Sequence, residues 1–275
     1  MGDKNKWSHS DYDLAYQKRS KGFYKAEQGE FHISKRFRMH ALRKYLLGHV
    51  PKNERVLDVG CGSAMYFHEL LADTLSPSNI VGIDFSRAAL NLAKTNISKE
   101  DQFITLSQAD ARVLPFDDNT FQVILAFEVL EHIWEDDQVV KEFYRVLKPG
   151  GYLVASMPSS KHFPLGPIWL EFLIEGKIAL DEKVGHVRRY DKNMLLNLFR
   201  MSGFNVKNIL PYFHFVAAYI KFLNDNILLK SNVRHNWLYQ KLFFPLALGF
   251  CQLETALFSG IYYSYGILAL VRKDE

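Results

Sequence analysis

Arg55-Val56-Leu57-Asp58-Val59-Gly60-Cys61-Gly62-Ser63-Ala64 is the stretch on which the reading of the chain turns. A short run rich in β-branched and apolar residues ends abruptly on two glycines, and Ala64, Phe67 and Leu71 then recur at helical spacing. That order predicts a buried strand over 55–59, a tight turn and a helix over 63–72. Glycine suits the turn because it adopts backbone angles closed to other residues and adds no Cβ where a ligand would approach. Working outward, Asn79–Asp84 repeats the strand pattern, and Ser86 is placed to cap a helix with Ala89, Leu90, Ala93 and Ile97 on one face. Gln102–Leu106 and Gln122–Phe127 read as further strands. Glu135-Asp136-Asp137 put negative charge where a helix N-terminus favours it, Val140, Phe143 and Leu147 line that helix, and Lys148-Pro149-Gly150-Gly151 stop it.

Tyr152–Ser156 is a fifth strand; Asp191 caps a helix (Leu195, Leu198, Phe199) that ends at Gly203; Phe204–Leu210 and Tyr265–Arg272 complete seven strands. Strands alternating with helices at this pitch mean βαβ units. The expected class is α/β: a Rossmann-like, doubly wound, mostly parallel seven-stranded sheet with helices on both faces. Residues 1–50 read as a basic helical N-terminal extension, with Ile33, Phe37, Ala41 and Leu46 or Leu47 on one face, and 51–275 as the main domain, with insertions at about 158–190 and 211–258.

The 275 residues, 48% hydrophobic and 23% charged, exclude a disordered, collagenous or coiled-coil chain. Cys61 and Cys251 form neither a disulfide framework nor a zinc spacing, which suits a reducing compartment. No apolar segment follows the polar Met1–Ser10, so a cytoplasmic placement is expected. The net charge of +4 conceals +7 over residues 1–52 and −3 over the remainder. Such a front segment suits an anionic substrate or a lipid surface, or is simply a solvated helix face.

Asp84 closes the second strand, where an acidic side chain accepts hydrogen bonds from both hydroxyls of an adenosine ribose. Glycine turn and acid together fit an NAD enzyme as well as an S-adenosylmethionine enzyme. The later segments narrow the choice: Ala109-Asp110-Ala111, Phe127-Glu128-Val129-Leu130-Glu131-His132, Arg145-Val146-Leu147-Lys148-Pro149-Gly150-Gly151 and Gly185-His186-Val187-Arg188-Arg189-Tyr190. In this order the chain resembles the class I S-adenosylmethionine-dependent methyltransferases, in particular the ubiquinone and menaquinone branch. The resemblance implies S-adenosyl-L-methionine as cofactor. It places Gly60, Cys61 and Gly62 under the methionine part, with Asp58 holding the turn and reaching the amino group through water. It gives Asp84 to the ribose, Phe85 to the side of the adenine, Asp110 to the adenine amino group and the Ala111 N–H to an adenine ring nitrogen. Phe127 and Glu128 flank the methionine moiety. One departure is visible: the third glycine of the family's turn is Ala64 here, which should alter packing at the helix start rather than abolish binding.

Methyl transfer from a sulfonium is an in-line displacement that needs chiefly proximity, alignment and exclusion of water. A phenol or enol acceptor also needs a base, for which His132 and His186 are the candidates; Arg188, Arg189 and Tyr190 either hold an anionic group or pin their loop to the sheet. No metal is expected, because no third ligand is spaced to help Glu131-His132. The expected activity is O- or C-methylation of a small or lipid-like acceptor. The alternatives are a nucleic-acid methyltransferase, an NAD-linked oxidoreductase and a non-catalytic relative that keeps the cofactor pocket. No nucleic-acid partner is expected, since no appended module or base-flipping tetrad is present. Leu242–Leu253 and Thr255–Val271 are uncharged for 12 and 17 residues, with Pro245 and Glu254 against a spanning helix. An apolar lid, an interfacial helix in peripheral contact with a membrane, and ordinary core all account for them; the oligomeric state is open.

Overall fold

A computed structural model describes residues 13–14, 33–45, 54–64, 66–67, 79–97, 104–161, 181, 185–223, 237–258, 260 and 264–275. In chain order these form α1 (Ile33–Tyr45), β1 (Val56–Val59), β2 (Ile80–Asp84), α2 (Arg87–Asn96), β3 (Thr105–Gln108), β4 (Phe121–Phe127), a 3₁₀ turn (Leu130–His132) and α3 (Asp136–Val146). There follow β5 (Leu147–Pro158), α4 (Lys192–Met201), β6 (Asn205–Tyr212), α5 (Val216–Leu223), a π-helical turn (Tyr239–Phe243) running into α6 (Phe244–Leu257), and β7 (Gly266–Arg272). Most of the helix expected over 63–72, Leu46, Leu47 and most of 158–190 lie outside the described residues.

One seven-stranded sheet runs β3-β2-β1-β4-β5-β7-β6. The first five strands pair in parallel, whereas β7 is antiparallel to both β5 and β6, so the sheet is mixed, reversed by one strand. The strands are apolar on both sides because both faces are covered. Val56, Val123, Leu125, Val154 and Leu268 pack with α1, α2 and α6 in one cluster; their neighbours Leu57, Ile124, Leu153, Ala155 and Ala269 pack with Phe143 of α3 and Phe199 of α4 in the other. Capping follows the sequence: Ser86 Oγ accepts from the Ala89 N–H and the Asp191 side chain from the Met194 N–H.

Two boundaries differ from expectation. The third strand falls at 105–108, not 102–106, because pairing with β2 sets its register from Val81↔Thr105 to Asp84↔Gln108. As an edge strand it tolerates polar residues, and the apolar run before it misplaced the start. Lys148–Gly151 does not separate helix from strand either. Leu147 already pairs with Phe121, and the next partners are Val123 and Tyr152, so the segment bulges out within β5. A Cβ on Gly151 would lie 2.8 Å from the Lys148 carbonyl oxygen, which explains the glycine.

α1 is built into the core rather than resting on its surface. Ile33, Phe37, Ala41 and Leu42 are buried, and Phe37 stacks on Tyr212 with ring centroids 5.0 Å apart. Among the described residues no helix is long and apolar enough to cross a membrane.

Candidate active site

Every residue singled out for cofactor binding sits where a parallel strand ends, on the edge at which open α/β sheets bind ligands. Beyond β1, Gly60, Gly62 and Ala64 all take positive φ, at 66°, 55° and 61°. A Cβ on Gly60 would stand 2.6 Å from Val129 Cγ2, so that glycine is required by the protein itself. Ala64 carries a side chain in the left-handed region, at a cost of roughly 1–2 kcal/mol. The third-glycine departure therefore shows as backbone strain at the turn.

Asp84 holds this turn. Its Oδ2 accepts from the Gly62 N–H at 2.9 Å and its Oδ1 from the Ser86 N–H at 2.8 Å. Asp58, expected to hold the turn, is buried with Oδ2 lacking any hydrogen-bond partner. Burial, reinforced by the charge of Asp84, pushes the Asp58 carboxyl up to about 8. Asp84 is raised to about 6, burial outweighing its backbone hydrogen bonds. Cys61 is buried between them, its thiol held well above the ordinary range by burial and by both carboxylates, which makes it unreactive.

Phe85 is half-buried, and its carbonyl accepts from Gln108 Nε2 at 3.0 Å. Ala111 is buried beside it in sequence to Asp110. The Asp110 carboxylate is engaged by Arg112, whose Nε and Nη2 lie 3.0 and 2.7 Å away and whose backbone N–H donates to it at 2.9 Å. An adenine amino group would share Asp110 with that guanidinium, a partner the sequence reading did not include.

At the end of β4, Phe127 is buried and Glu128 takes a left-handed conformation, φ 57°. The Glu128 N–H donates to the Ser156 carbonyl at 2.8 Å, and Oε1 accepts from Ser156 Oγ at 2.9 Å. The same Oε1 pairs at 2.7 Å with Arg38 of α1. Arg38 also donates to the Tyr66 hydroxyl at 3.0 Å and the Tyr212 hydroxyl at 3.5 Å, and lies over the Phe127 ring. Burial would discharge this guanidinium, but Glu128, Tyr212 and Tyr66 hold it firmly charged. Arg38, which joins the candidate site through Glu128, was one of twelve basic residues in the N-terminal segment that the sequence did not single out.

The histidines meet. The rings of His132 and His186 are 4.8 Å apart, edge to face. His186 Nδ1 is 2.6 Å from Asp181 Oδ1, and Arg189 grips the same carboxylate at 2.6 and 2.7 Å. Burial pushes Asp181 up, yet the His186 and Arg189 hydrogen bonds outweigh it and keep the carboxyl below its ordinary value. His132 Nδ1 lies 3.2 Å from the Gly185 carbonyl. Glu131, fully buried with neither oxygen hydrogen-bonded, is 3.9 Å from His186 Nε2 and is pushed well up by burial and by Glu128. The sequence offers Glu131-His132 no nearby third ligand, but in space His186 brings the three ligand atoms within 4.8 Å of one another. Arg188 and Tyr190 serve the scaffold: both reach Asp136, at 2.6 and 2.7 Å.

Comparison with known proteins agrees with this geometry. A methyltransferase domain family matches residues 57–155. A protein of Mycolicibacterium smegmatis named "probable S-adenosylmethionine-dependent methyltransferase" is 28% identical over 65% of this chain, which spans 62% of that protein's length. The demethylmenaquinone methyltransferase of Anoxybacillus flavithermus is 33% identical over 62% of this chain and 77% of its own. Among solved structures, the Haemonchus contortus phosphoethanolamine N-methyltransferase 2 in complex with S-adenosyl-L-methionine superposes with a TM-score of 0.63 at 17% identity, over 99% of this chain and 59% of that one. That last likeness speaks for the fold. With a relative 33% identical and covered over 77% of its length, the ordered motifs are explained by descent, and the chain belongs to the S-adenosylmethionine-dependent methyltransferases.

Proposed function

We propose that the enzyme methylates a small or lipid-like acceptor, at oxygen or at an enol-type carbon, with His186 as the general base. S-adenosyl-L-methionine, when bound, supplies an electrophilic methyl group on a sulfonium. The residues present suit it: Asp58 Oδ2 is a buried carboxylate oxygen without a partner, and a cationic amino group is the guest that would satisfy it. Asp84 would take the ribose hydroxyls while keeping the Gly60–Gly62 turn fixed, and Asp110 and Ala111 would meet the adenine. Glu128, locked by Ser156 and Arg38, would bound the site on the acceptor side.

The observation that carries the reading is the Asp181–His186 hydrogen bond of 2.6 Å. An ionised Asp181 takes the Nδ1–H and so leaves Nε2 as the basic atom, the arrangement that lets an imidazole remove a proton from an acceptor hydroxyl. Deprotonation of a phenol or hydroquinone makes both its oxygen and its ring carbon nucleophilic, so one base serves either outcome. The aromatic side chains Tyr66, Phe127 and Tyr212 around Arg38 suit a flat or apolar acceptor, and the names of the quinone-methylating relatives point the same way. The two buried, unbridged cysteines support a reducing, cytoplasmic setting.

The test is turnover with S-adenosyl-L-methionine on a panel of short-chain demethylmenaquinol, catechols and primary amines, read by product mass. Methylation of a hydroxyaromatic compound is expected. His186→Gln should lower kcat by about 10²–10⁴-fold, the usual worth of a positioned base, with cofactor affinity unchanged. Turnover confined to amines, or an unaffected His186→Gln rate, would overturn the assignment.

A further inference from the structure

Between β6 and β7 the chain runs through the π-helical turn and α6 with apolar residues on two opposite sides. Phe244, Ala247, Cys251 and Thr255 are buried against the body of the protein. On the other side Leu242, Leu246, Phe250, Leu253 and Leu257, spaced by four, four, three and four residues, form one stripe exposed by 55, 64, 42, 58 and 69%. Single exposed leucines need no explanation, but a contiguous stripe of five along a helix does.

Charge identifies what it meets. Residues 226–253 contain Lys230, Arg234 and Lys241 and no aspartate or glutamate. The only carboxylate of α6, Glu254, is 4% exposed and turned inward, where it accepts from the N–H groups of Phe215, Val216 and Ala217 at 3.2, 2.8 and 3.1 Å and so caps α5. Among the described residues the outer face therefore presents hydrocarbon with the exposed Lys241 and no exposed carboxylate on α6. Exposed Trp237 at the start of the helical run is the side chain that settles at the boundary between hydrocarbon and headgroups.

We infer that this face is a docking surface for an anionic lipid bilayer, on which α6 lies in the interfacial plane with its leucine stripe among the upper acyl chains. A second copy of the chain is the less suited occupant, since packing this face on itself would bring Lys241 against its own copy with no exposed acid on α6 to compensate. The inference rests on the exposed face and its charge, whichever acceptor is methylated.

The experiment is flotation of the purified full chain with vesicles of phosphatidylcholine alone and of phosphatidylcholine mixed with phosphatidylglycerol, alongside sedimentation velocity without lipid. Wild type should float with the anionic vesicles, less with the neutral ones, and more weakly as salt is raised. Leu246→Gln with Leu253→Gln should lower partitioning by about ten-fold or more, since each buried leucine side chain is a large part of such binding energy. Thermal unfolding and calorimetric cofactor titration of the variant should match wild type, as both side chains are exposed. Wild type that stays at the bottom of the gradient, a variant that floats as well as wild type, or a lipid-free dimer that the variant converts to monomer would each overturn the proposal.

Discussion

Replacing Asp84 separates its two duties. The carboxylate is 7% exposed and accepts two backbone N–H groups, at 2.9 and 2.8 Å. Hydrogen bonds to a charged group contribute about 1.5–3 kcal/mol each, so their loss in Asp84→Ala costs about 3–6 kcal/mol of stability. Against this stands the cost of burying the charge. The shift from the ordinary 3.8 to about 6 is what remains after those bonds are counted, and at neutral pH it leaves the charged form, relative to the protonated one, roughly 3 kcal/mol less favourable in the folded chain than in the unfolded. Removing the carboxyl relieves that strain but gives up the two hydrogen bonds a neutral acceptor would keep, about 1–3 kcal/mol together, so Asp84→Ala should lie within about 2 kcal/mol of wild type. Asp84→Asn keeps one acceptor oxygen and should be the more stable of the two variants. Both variants lose the charged acceptor for the ribose, so cofactor affinity should fall by about 1–3 kcal/mol, or roughly 5–150-fold. The pH signature is specific. The folded pKa is raised, so the folded chain keeps a proton that the unfolded chain has released. Wild-type stability from this group is therefore highest below about 4 and declines as pH rises through about 6. Cofactor affinity has the opposite sense, weakening as pH falls through about 6 because a protonated carboxyl is the poorer acceptor. In Asp84→Asn the part of each slope due to Asp84 should vanish, and the Asp58 carboxyl should move down from about 8 in part, burial being its larger cause. Urea unfolding and calorimetric titration across that pH range measure all of this. Affinity of Asp84→Asn within about two-fold of wild type, less than the loss of one hydrogen bond, would refute the ribose assignment.

Ala64→Gly should stabilise the protein by about 0.5–1 kcal/mol in urea unfolding, since relief of the left-handed alanine exceeds the added chain entropy of glycine. Arg38→Met breaks the ion pair with Glu128; because Glu128 keeps 34% side-chain exposure, the loss should be about 1–2 kcal/mol rather than the full cost of a buried pair. Adding Glu128→Gln should recover part of that stability, whereas kcat should remain low in both variants if the pair shapes the acceptor side.

How far the chain could be read without coordinates depended on the range of each interaction. The sheet was legible because its inner strands are buried on both faces, with Val56 and Leu57, or Leu153 and Val154, going to opposite apolar clusters, so they read as short continuous apolar runs. Gly60, Asp84 and Asp110 stand at or just past strand ends, where the sequence places them, but their roles toward a cofactor came from the resemblance and not from local pattern. The third strand slipped because an edge strand owes its register to β2 and not to its own hydrophobicity. The acceptor side was hidden. Arg38 meets Glu128 from 90 positions away, and Asp181 hydrogen-bonds His186 five positions along a stretch that carries no strand or helix pattern of its own in the sequence. Neither pairing leaves a period or a fixed spacing. The turn is the intermediate case: it lies where the sequence places it, but its Gly62 N–H is held by Asp84, while Asp58, expected to hold it, leaves Oδ2 without a partner.

The carboxylates at this edge have a joint consequence. Asp58 and Asp84 are both raised, Asp58 partly by the charge of Asp84, and Glu131 is raised partly by Glu128. Acids so placed resist ionising together, and a cation among them relieves the repulsion. The amino group is common to cofactor and demethylated product, but the sulfonium charge belongs to the cofactor alone. Preference for S-adenosyl-L-methionine over S-adenosylhomocysteine should therefore grow as pH rises from about 6 to about 8, through the ionisation of Asp84 and Asp58. At the effective dielectric of a partly solvated site, one added charge should change the ratio of dissociation constants by about 1–2 kcal/mol, or roughly 5–30-fold. The same term favours release of the neutral-sulfur product once the methyl group has left. Parallel titrations with the two ligands across this range decide the matter, and a ratio that does not move with pH would mean that the raised carboxylates lie too far from the sulfur to sense its charge.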